Sequence, residues 1–465
     1  MLFYYTEISK YIITAIMGLY VIECLVYEIR NEDYRRSSGI CIRQRLYLFM
    51  IQALSYSTLC LKLGKFDYLF LLLFSQVILF AVLVLSGFLY PRIDKILLNN
   101  MALLVSIGFI ILSRLSFDRA LKQFFIVAVS MTIGIFIPLI LNKINGLAHY
   151  GYIYAAAGIV PLSVVLLLGA ATNGSKLSYS VGGITIQPSE LVKIIFVFCV
   201  AAFLSNAKSF IDIVIATIIA AGHVLILVMS KDLGSGVIFF VAYLFMLFIG
   251  TRNYLFFGLG IASGAAASVV AYKLFTHVQV RVQAFKDPFS VIDKEGYQIS
   301  QSLFAISCGS FFGMGLAKGI PSDIPYVESD FIFSAISEEM GAIFAVMMLL
   351  VCLSCFVIML RTSMICGKKF NRLLACGFGV LYIFQVFLTV GGGIKFIPLT
   401  GVTLPFVSYG GSSILSSVIL VYVVEWVIIT YRDEEHEERM RRRENERLRR
   451  REQNLKRYAM EDDYE

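Results

Sequence analysis

Residues 327–360 read VESDFIFSAISEEMGAIFAVMMLLVCLSCFVIML, and this stretch sets the class of the protein. Its second half is an apolar run, and a helix that crosses a bilayer needs about 20 such residues. Four carboxylates stand before that run: Glu328 and Asp330 precede the phenylalanines, and Glu338 and Glu339 follow them. The stretch therefore predicts a membrane helix that carries acidic groups at its entrance.

The composition of the whole chain predicts the same class. Of 465 residues, 58% are hydrophobic and 15% are charged, and the mean hydropathy is +0.79. A soluble protein of this length carries more charge than this. We predict an all-α polytopic membrane protein with about thirteen spans and no large soluble domain. The spans are placed near residues 8–27, 46–64, 68–90, 97–115, 120–142, 152–171, 187–205, 210–229, 235–250, 255–275, 331–360, 371–392 and 406–430.

The distribution of lysine and arginine predicts the orientation. The loop after the first span, the loop 361–372 and the tail after residue 430 are all rich in basic residues. Basic loops stay on the cytoplasmic side of a membrane. We therefore expect the N-terminus outside and the C-terminus in the cytoplasm. The two long loops 172–186 and 276–328 then lie outside.

The tail and the cysteines offer no sign of a nucleic-acid arm or a metal site. The tail interleaves Glu and Arg at helical spacing in nearly equal numbers, which favours a solvated or lipid-skimming helix. The nine cysteines mostly lie inside apolar runs, and the four histidines are scattered. Packing is the favoured role of these cysteines, including the Cys352 and Cys355 pair.

Polar and glycine-rich sequence gathers in four segments of the predicted outer face, at residues 173–193, 229–236, 276–328 and 391–413. Long loops in compact folds are usually functional. An irregular, glycine-rich backbone at membrane depth needs protein or a water-filled cavity around it. These segments supply the candidate substrate-binding residues: Lys176, Glu190, Lys193, Lys231, Asp232, Arg281, Gln298, Gln301, Ser302, Lys395, Thr400, Ser408 and Ser412.

Each of the first three segments also has a structural interpretation. Glu190 and Lys193 stand three residues apart in a span, where charges usually pair or serve a pathway; a local ion pair would explain them. Lys231 and Asp232 could belong to an ordinary connecting turn. The loop 276–328 could be a solvated loop with scattered charges, although its apolar stretch at 299–315 predicts a short helix.

Asp330 is the candidate for chemistry. The helical period places three small or polar residues on one face below it: Ser334, Ser337 and Gly341. Asp330 would head this face where water and substrate can reach it. Glu338 and Glu339 would lie about 12 Å deeper and have a structural role. The alternative for Asp330 is a helix N-cap, and the local sequence does not decide between the two.

These segments, taken in order, resemble the SEDS family of bacterial cell-wall glycosyltransferases, which includes RodA, FtsW and SpoVE. The resemblance covers about residues 97–430. It is carried by SRLSFDRALKQ (113–123), NGSK…GGITIQPSELVK (173–193), KDLGSG (231–236), RVQAFKDPF…GYQISQSLFAISCGSFFGMGL (281–316), IPYVESDFIFSAISEEMG (324–341) and PLTGVTLPFVSYGGSS (398–413). It implies a ten-helix core at 96–430 with the large extracellular loop 276–328. About three extra transmembrane helices at 1–95 precede the core, and the charged tail 431–465 follows it.

The resemblance also implies a reaction. Members of the family polymerise lipid II into glycan strands outside the bacterial cytoplasmic membrane, in elongation, division or sporulation. Asp330 matches the acid presumed to be the general base. Lys193, Arg281 and Lys395 are candidate cations for the pyrophosphate leaving group, and a divalent cation, Mg²⁺ or Mn²⁺, is a further candidate.

The implied partners are a class B penicillin-binding protein, which supplies the transpeptidase, and other proteins of the elongation or division complexes. No nucleic acid is implied. Two alternatives from other classes are a lipid II flippase and a non-catalytic scaffold for the transpeptidase. A flippase needs polar sites open to both sides, so the gathering of polar segments on one face favours the enzyme.

Two features depart from the family pattern. Leu177 and Ser178 follow Lys176, where many members have a basic and aromatic pair. The extension 1–95 lies outside the core and offers only Glu23 as an intramembrane charge, so we expect it to be dispensable for polymerisation itself.

Overall fold

The chain is a helical bundle in its computed structural model, which describes residues 2–30, 38–168, 170–172, 175–181 and 184–462. Among these residues, twelve helices are long and apolar enough to cross a membrane. The helices are α1 (Leu2–Arg30), α2 (Ser38–Leu63), α3 (Asp67–Leu89), α4 (Lys95–Leu115), α5 (Phe117–Lys143), α6 (Gly151–Leu168), α7 (Pro188–Asn206), α8 (Phe210–Met229), α9 (Leu233–Thr251), α10 (Tyr254–Leu274), α11 (Thr276–Lys286), α12 (Tyr297–Gly309), α13 (Ile332–Met340), α14 (Ala342–Ile365), α15 (Lys369–Gly393) and α16 (Gly411–Asp462).

The all-α class is confirmed, and each of the thirteen predicted spans overlaps an observed helix. Twelve of these helices meet the length expected of a span, and α6 is shorter than the others. The span count and the orientation remain predictions. The spacing of Glu and Arg predicts a helical tail, and α16 runs without a break from the bundle to Asp462.

Helix α4 lies at the centre of the bundle. Its residues from Ile96 to Ser113 are all buried, which agrees with a sequence that is apolar on every face. Two adjacent amides interrupt that sequence, and the extension provides their partners. Tyr20 Oη donates to Asn100 Oδ1 at 2.9 Å, and Arg45 Nε donates to Asn99 Oδ1 at 3.1 Å. Helices α1–α3 are therefore built into the same core as the rest of the chain.

The predicted span 331–360 is wrong in one respect, because it is two helices. Helix α13 ends at Met340 and α14 begins at Ala342. Gly341 between them has a φ of 91°, and a Cβ atom there would lie 2.4 Å from the backbone nitrogen of Gly313. Only glycine fits this left-handed, crowded position. The break removes Gly341 from the polar face that was predicted below Asp330.

The break also changes the positions of Glu338 and Glu339. Glu339 Oε1 lies 2.9 Å from Arg114 Nε in the last turn of α4, and Glu338 Oε1 accepts from the Ile320 nitrogen at 2.8 Å. Both acids therefore contact the residues at the end of α4 and in the segment that follows α12. Helix α13, which begins two residues after Asp330, ends just beyond these acids and does not continue into the span α14.

Three further segments refine the predictions. The loop 172–186 contributes to a small antiparallel sheet, in the order β1 (Ala170–Thr172), β2 (Ser175–Val181) and β3 (Ile184–Ile186). In the loop 276–328, α12 confirms the predicted short helix, whereas α11 was not predicted. Helix α2 begins at Ser38, so Arg43 and Arg45 belong to a helix and not to the first loop; Arg43 Nε donates to Glu23 at 2.6 Å.

Candidate active site

Two segments far apart in the sequence meet beside Asp330. Arg281 Nη1, on α11, donates to the carbonyl oxygen of Thr400 at 3.0 Å. Gly401 follows with a φ of 75°, and a Cβ atom there would lie 3.6 Å from Asp330 Oδ2 and 3.9 Å from Arg281 Nη2. Glycine therefore leaves open the space that the carboxylate and the guanidinium share. Any other residue at 401 would place its side chain into that space.

The turn that carries Asp330 is held by the glycine-rich segment near the start of α16. Ser408 Oγ donates to the Ser329 carbonyl at 2.5 Å, and the Tyr409 nitrogen donates to the Glu328 carbonyl at 2.8 Å. The residue at the N-cap of α13 is Phe331, and no side chain caps this helix. The N-cap interpretation of Asp330 is therefore wrong.

The electrostatic environment of Asp330 suits a base. Burial raises the pKa of Asp330, the charge of Arg281 opposes that rise, and the charge of Glu328 adds to it. Burial lowers the pKa of Arg281, whereas Asp330 and Asp232 raise it. A carboxylate with a raised pKa takes up a proton more readily than an ordinary surface carboxylate, as a general base must.

Asp232 links the starts of two helices. Its Oδ1 accepts from the Ser235 nitrogen at 3.1 Å, which makes it the N-cap of α9, and its Oδ2 accepts from Ser189 Oγ at 3.0 Å. Burial raises the pKa of Asp232. The neighbouring Lys231 is exposed. Burial lowers the pKa of His277, and the charges of Arg281 and Lys231 lower it further. The turn 231–232 is therefore part of the site's charged surroundings as well as a connection.

Glu190 and Lys193 form the buried ion pair that their spacing predicted. Lys193 Nζ lies 2.5 Å from Glu190 Oε2, and it also donates to Gln385 Oε1 at 2.9 Å. Ser416 Oγ donates to Glu190 Oε2 at 3.0 Å. Only 4% of the Lys193 side chain is exposed. The pair thus ties α7 to α15 and α16, and the structural alternative for these two residues describes the observed geometry.

The remaining candidates fall into three groups. Ser302 and Ser412 make internal hydrogen bonds: Ser302 Oγ lies 2.6 Å from Ser334 Oγ, and Ser412 Oγ accepts from the Gln187 nitrogen at 3.4 Å. Gln298, Gln301 and Lys395 are half-buried. The Lys176 side chain lies outside the described residues.

The hydroxyl of Thr400 is exceptional among the candidate residues. Its Oγ1 atom is buried and has no hydrogen-bond partner among the described residues, although the carbonyl oxygen of the same residue accepts from Arg281. A buried hydroxyl without a partner costs free energy, about 1–3 kcal/mol on mutational data. A bound substrate or water would relieve that cost.

Sequence reasoning missed two residues that support the Asp330 turn. Arg119 forms an ion pair with Glu328. Gln123 Nε2 donates to the Ser408 carbonyl at 3.1 Å, and its Oε1 accepts from the Gly410 nitrogen at 3.4 Å. Both lie in the block 113–123, at the boundary between two predicted spans. Charged and amide side chains at such a boundary were the signal in the sequence that could have identified them.

The carboxylates at the site do not form a metal-ligand set. Arg281 faces both Asp330 and Asp232, and in the part of the chain that the structure describes no group of three His, Cys, Asp or Glu residues could hold a metal ion. These described residues therefore do not fit a divalent cation, and the Mg²⁺ or Mn²⁺ candidate stays a prediction.

The fold and the site define a polytopic membrane protein whose polar residues surround one carboxylate at one end of the helical bundle. Residues 94–432 match the FtsW, RodA and SpoVE family of cell cycle proteins. The chain belongs to this family.

Curated relatives carry the names of enzymes. The peptidoglycan glycosyltransferase RodA of Mycobacterium tuberculosis is 34% identical over 363 residues, which are 72% of this chain and 77% of that protein. The probable peptidoglycan glycosyltransferase FtsW of Shewanella sediminis is 36% identical over 269 residues, 55% of this chain and 65% of that protein.

Solved structures share the fold. A chain of a peptidoglycan synthase complex, described as coordinating polymerization and crosslinking, superposes with a TM-score of 0.61 at 23% identity, over 73% of this chain and 98% of that one. The rod shape determining protein RodA of Thermus thermophilus superposes with a TM-score of 0.53 at 22% identity, over 73% of this chain and 97% of that one.

Proposed function

We propose that this chain is a peptidoglycan glycosyltransferase that polymerises lipid II into glycan strands at the outer face of a bacterial cytoplasmic membrane. The observation that carries the proposal is the placement of Asp330 opposite Arg281, with Gly401 leaving the space between them open. The names of the curated relatives support the same reaction class.

The geometry supports a direct displacement. Asp330 accepts the proton of the acceptor sugar hydroxyl as that oxygen attacks the anomeric carbon of the donor. The bond from the anomeric carbon to the pyrophosphate oxygen breaks, and the pyrophosphate leaves with the electron pair. Arg281 stabilises the negative charge that develops on the leaving group, since guanidinium donors fit phosphate oxygens well.

The supports of the two side chains make this arrangement rigid. The Thr400 carbonyl accepts one guanidinium hydrogen of Arg281, and Ser408 holds the backbone of Ser329 beside Asp330. Positioning groups before the reaction removes entropy from the barrier. The lipid tails of the donor and the acceptor would lie in grooves between helices that face the bilayer.

A class B penicillin-binding protein is the proposed partner, because the peptidoglycan synthase complex contains a chain with this fold. Other elongation or division proteins also belong to this proposal. The chain is proposed to lie in the bacterial cytoplasmic membrane with its N-terminus outside and its C-terminus in the cytoplasm.

The test is polymerisation by the purified chain together with its class B penicillin-binding protein and labelled lipid II. We expect a ladder of glycan strands from the wild type and none from Asp330→Asn. Asp323→Asn is the matched control, because Asp323 is an exposed acid in the same loop and should keep the ladder. No ladder from the wild type would exclude the enzyme. Transport of a labelled lipid II across vesicles without polymer would favour a flippase instead.

A further inference from the structure

The N-terminal part of α1 contacts the segment 310–320, which follows α12. Lys10 Nζ donates to the Gly313 carbonyl at 3.2 Å and lies 3.1 Å from Glu7 Oε2. The other carboxylate oxygen of Glu7 pairs with Lys318. The side chains of Lys10 and Glu7 are only 15% and 29% exposed, so solvent screens these contacts less than it screens a surface pair.

An aromatic contact adds a third attachment between the same two elements. The ring of Tyr11 packs against that of Phe312 with 5.2 Å between the ring centroids. Tyr11 also lies under the Lys10 ammonium, 5.2 Å from its ring centroid. Three neighbouring residues of α1 thus contact three residues of the segment 310–320, namely Lys318, Gly313 and Phe312.

The segment 310–320 is joined in turn to α13 through backbone hydrogen bonds. The Met314 and Gly315 nitrogens donate to the carbonyls of Glu338 and Glu339, each at 2.9 Å. A Cβ atom on Gly313 would lie 2.3 Å from the Glu339 carbonyl. Backbone packed this closely leaves no room for independent movement of the two elements.

Helix α13 connects this contact to the reacting carboxylate. It begins at Ile332, two residues after Asp330, and every residue of the helix is buried. Near its start, Ser334 Oγ lies 2.6 Å from Ser302 Oγ. A displacement of the segment 310–320 would therefore move α13 as a unit and shift the turn that carries Asp330.

We propose that Glu7, Lys10 and Tyr11 form a clamp through which the N-terminal extension positions Asp330 for glycosyl transfer. This inference rests on the function proposed above. The three residues are positioning residues, since they act through the segment 310–320 and α13. They precede the interval 94–432 that the family profile matches. The clamp predicts the opposite of the sequence-based expectation that residues 1–95 are dispensable for polymerisation, and the kinetic test below decides between the two.

The test removes the ammonium of the clamp and leaves the rest of α1 in place. Lys10→Met keeps an unbranched side chain but loses both the bond to Gly313 and the pair with Glu7. We expect kcat to fall roughly tenfold to a hundredfold, because misplacing a catalytic group by about 1 Å costs that much. KM for lipid II should stay constant, and Lys10→Arg should restore kcat.

The matched control is Tyr27→Phe. It also removes one bond between α1 and the core, from Tyr27 Oη to Asp94 Oδ2 at 2.8 Å, but at the other end of α1. Its kcat should stay at the wild-type value. An unchanged kcat in Lys10→Met would overturn the clamp, and so would an equal loss in Tyr27→Phe, which would indicate general destabilisation.

Hydrogen exchange separates failure of the clamp from failure of the proposed function. Loss of a hydrogen bond to a charged group should raise amide exchange roughly tenfold. We expect that rise at 310–320 and 332–340 in Lys10→Met and not in Tyr27→Phe, whether or not the preparation polymerises lipid II. Unchanged exchange at 332–340 would overturn the coupling between clamp and α13, even in an active enzyme.

Discussion

Replacing Asp330 by asparagine tests the general base directly. The amide has the same size, and its oxygen can still accept hydrogen bonds, but it cannot take a proton from the acceptor hydroxyl. Loss of general acid–base catalysis costs about 10²–10⁴-fold in rate. Helix α13 should start unchanged, because Phe331 and not Asp330 stands at its N-cap.

The stability of the same variant can be worked out from the sign of the pKa shift. Burial raises the pKa of Asp330 in the folded protein, so the folded state disfavours the ionised form relative to the unfolded chain. Removing the charge at neutral pH should therefore leave the melting temperature equal or higher. A variant that loses activity because it unfolds would show a lower melting temperature.

The assay follows the initial rate of lipid II polymerisation across pH. The wild-type rate should rise as pH increases through the pKa of Asp330, which lies above the ordinary aspartate value. The residual rate of Asp330→Asn should lack that rise. An asparagine variant with wild-type rate and strand length would refute the general base, whatever its stability.

Three further predictions concern the surroundings of Asp330 and the topology. Gly401→Ala should raise KM for lipid II without unfolding the protein, because its Cβ would lie 3.6 Å from Asp330 Oδ2; an unchanged KM in steady-state kinetics would contradict this. Burial raises the pKa of Glu339 to about 7, so the folded protein binds more protons than the unfolded chain between its ordinary value of 4.5 and 7. The melting temperature of the wild type should therefore fall as pH rises through that window, and the melting temperature of Glu339→Gln should fall less over the same range. Parallel plots of melting temperature against pH for the two proteins would contradict the assignment. Cysteine labelling in cells should find residues 362–370 inside and 276–328 outside, and the reverse result would overturn the orientation.

The local features of the site could be predicted from the sequence. The pair Glu190 and Lys193 stands three residues apart, and helix geometry alone brings such residues together. The short helix inside the loop 276–328 was visible as an apolar stretch. In both cases the partners are close in sequence, so the 3.6-residue period carries the information.

The long-range features could not be predicted in the same way. Arg281 reaches Thr400 and faces Asp330 only because α11 and the glycine-rich segment meet in the fold. These residues are too far apart in sequence for a helical or strand periodicity to predict their contact. The attachment of the extension had a signal that was overlooked. Asn99 and Asn100 are adjacent amides in an apolar helix, and buried amides need partners, which Tyr20 and Arg45 supply.

The break at Gly341 explains how the chain accommodates Glu338 and Glu339. On a single helix through residues 331–360, these acids would enter the bilayer, where each charge costs about 2.5–3.5 kcal/mol on insertion scales. The break instead leaves them beside Arg114 and the Ile320 nitrogen. The break also makes α13 a helix separate from the spanning helix α14. As a separate helix, α13 can position the Asp330 turn. Two acids directly before a glycine and a long apolar run are thus better interpreted as the end of a separate buried helix than as part of the span that follows.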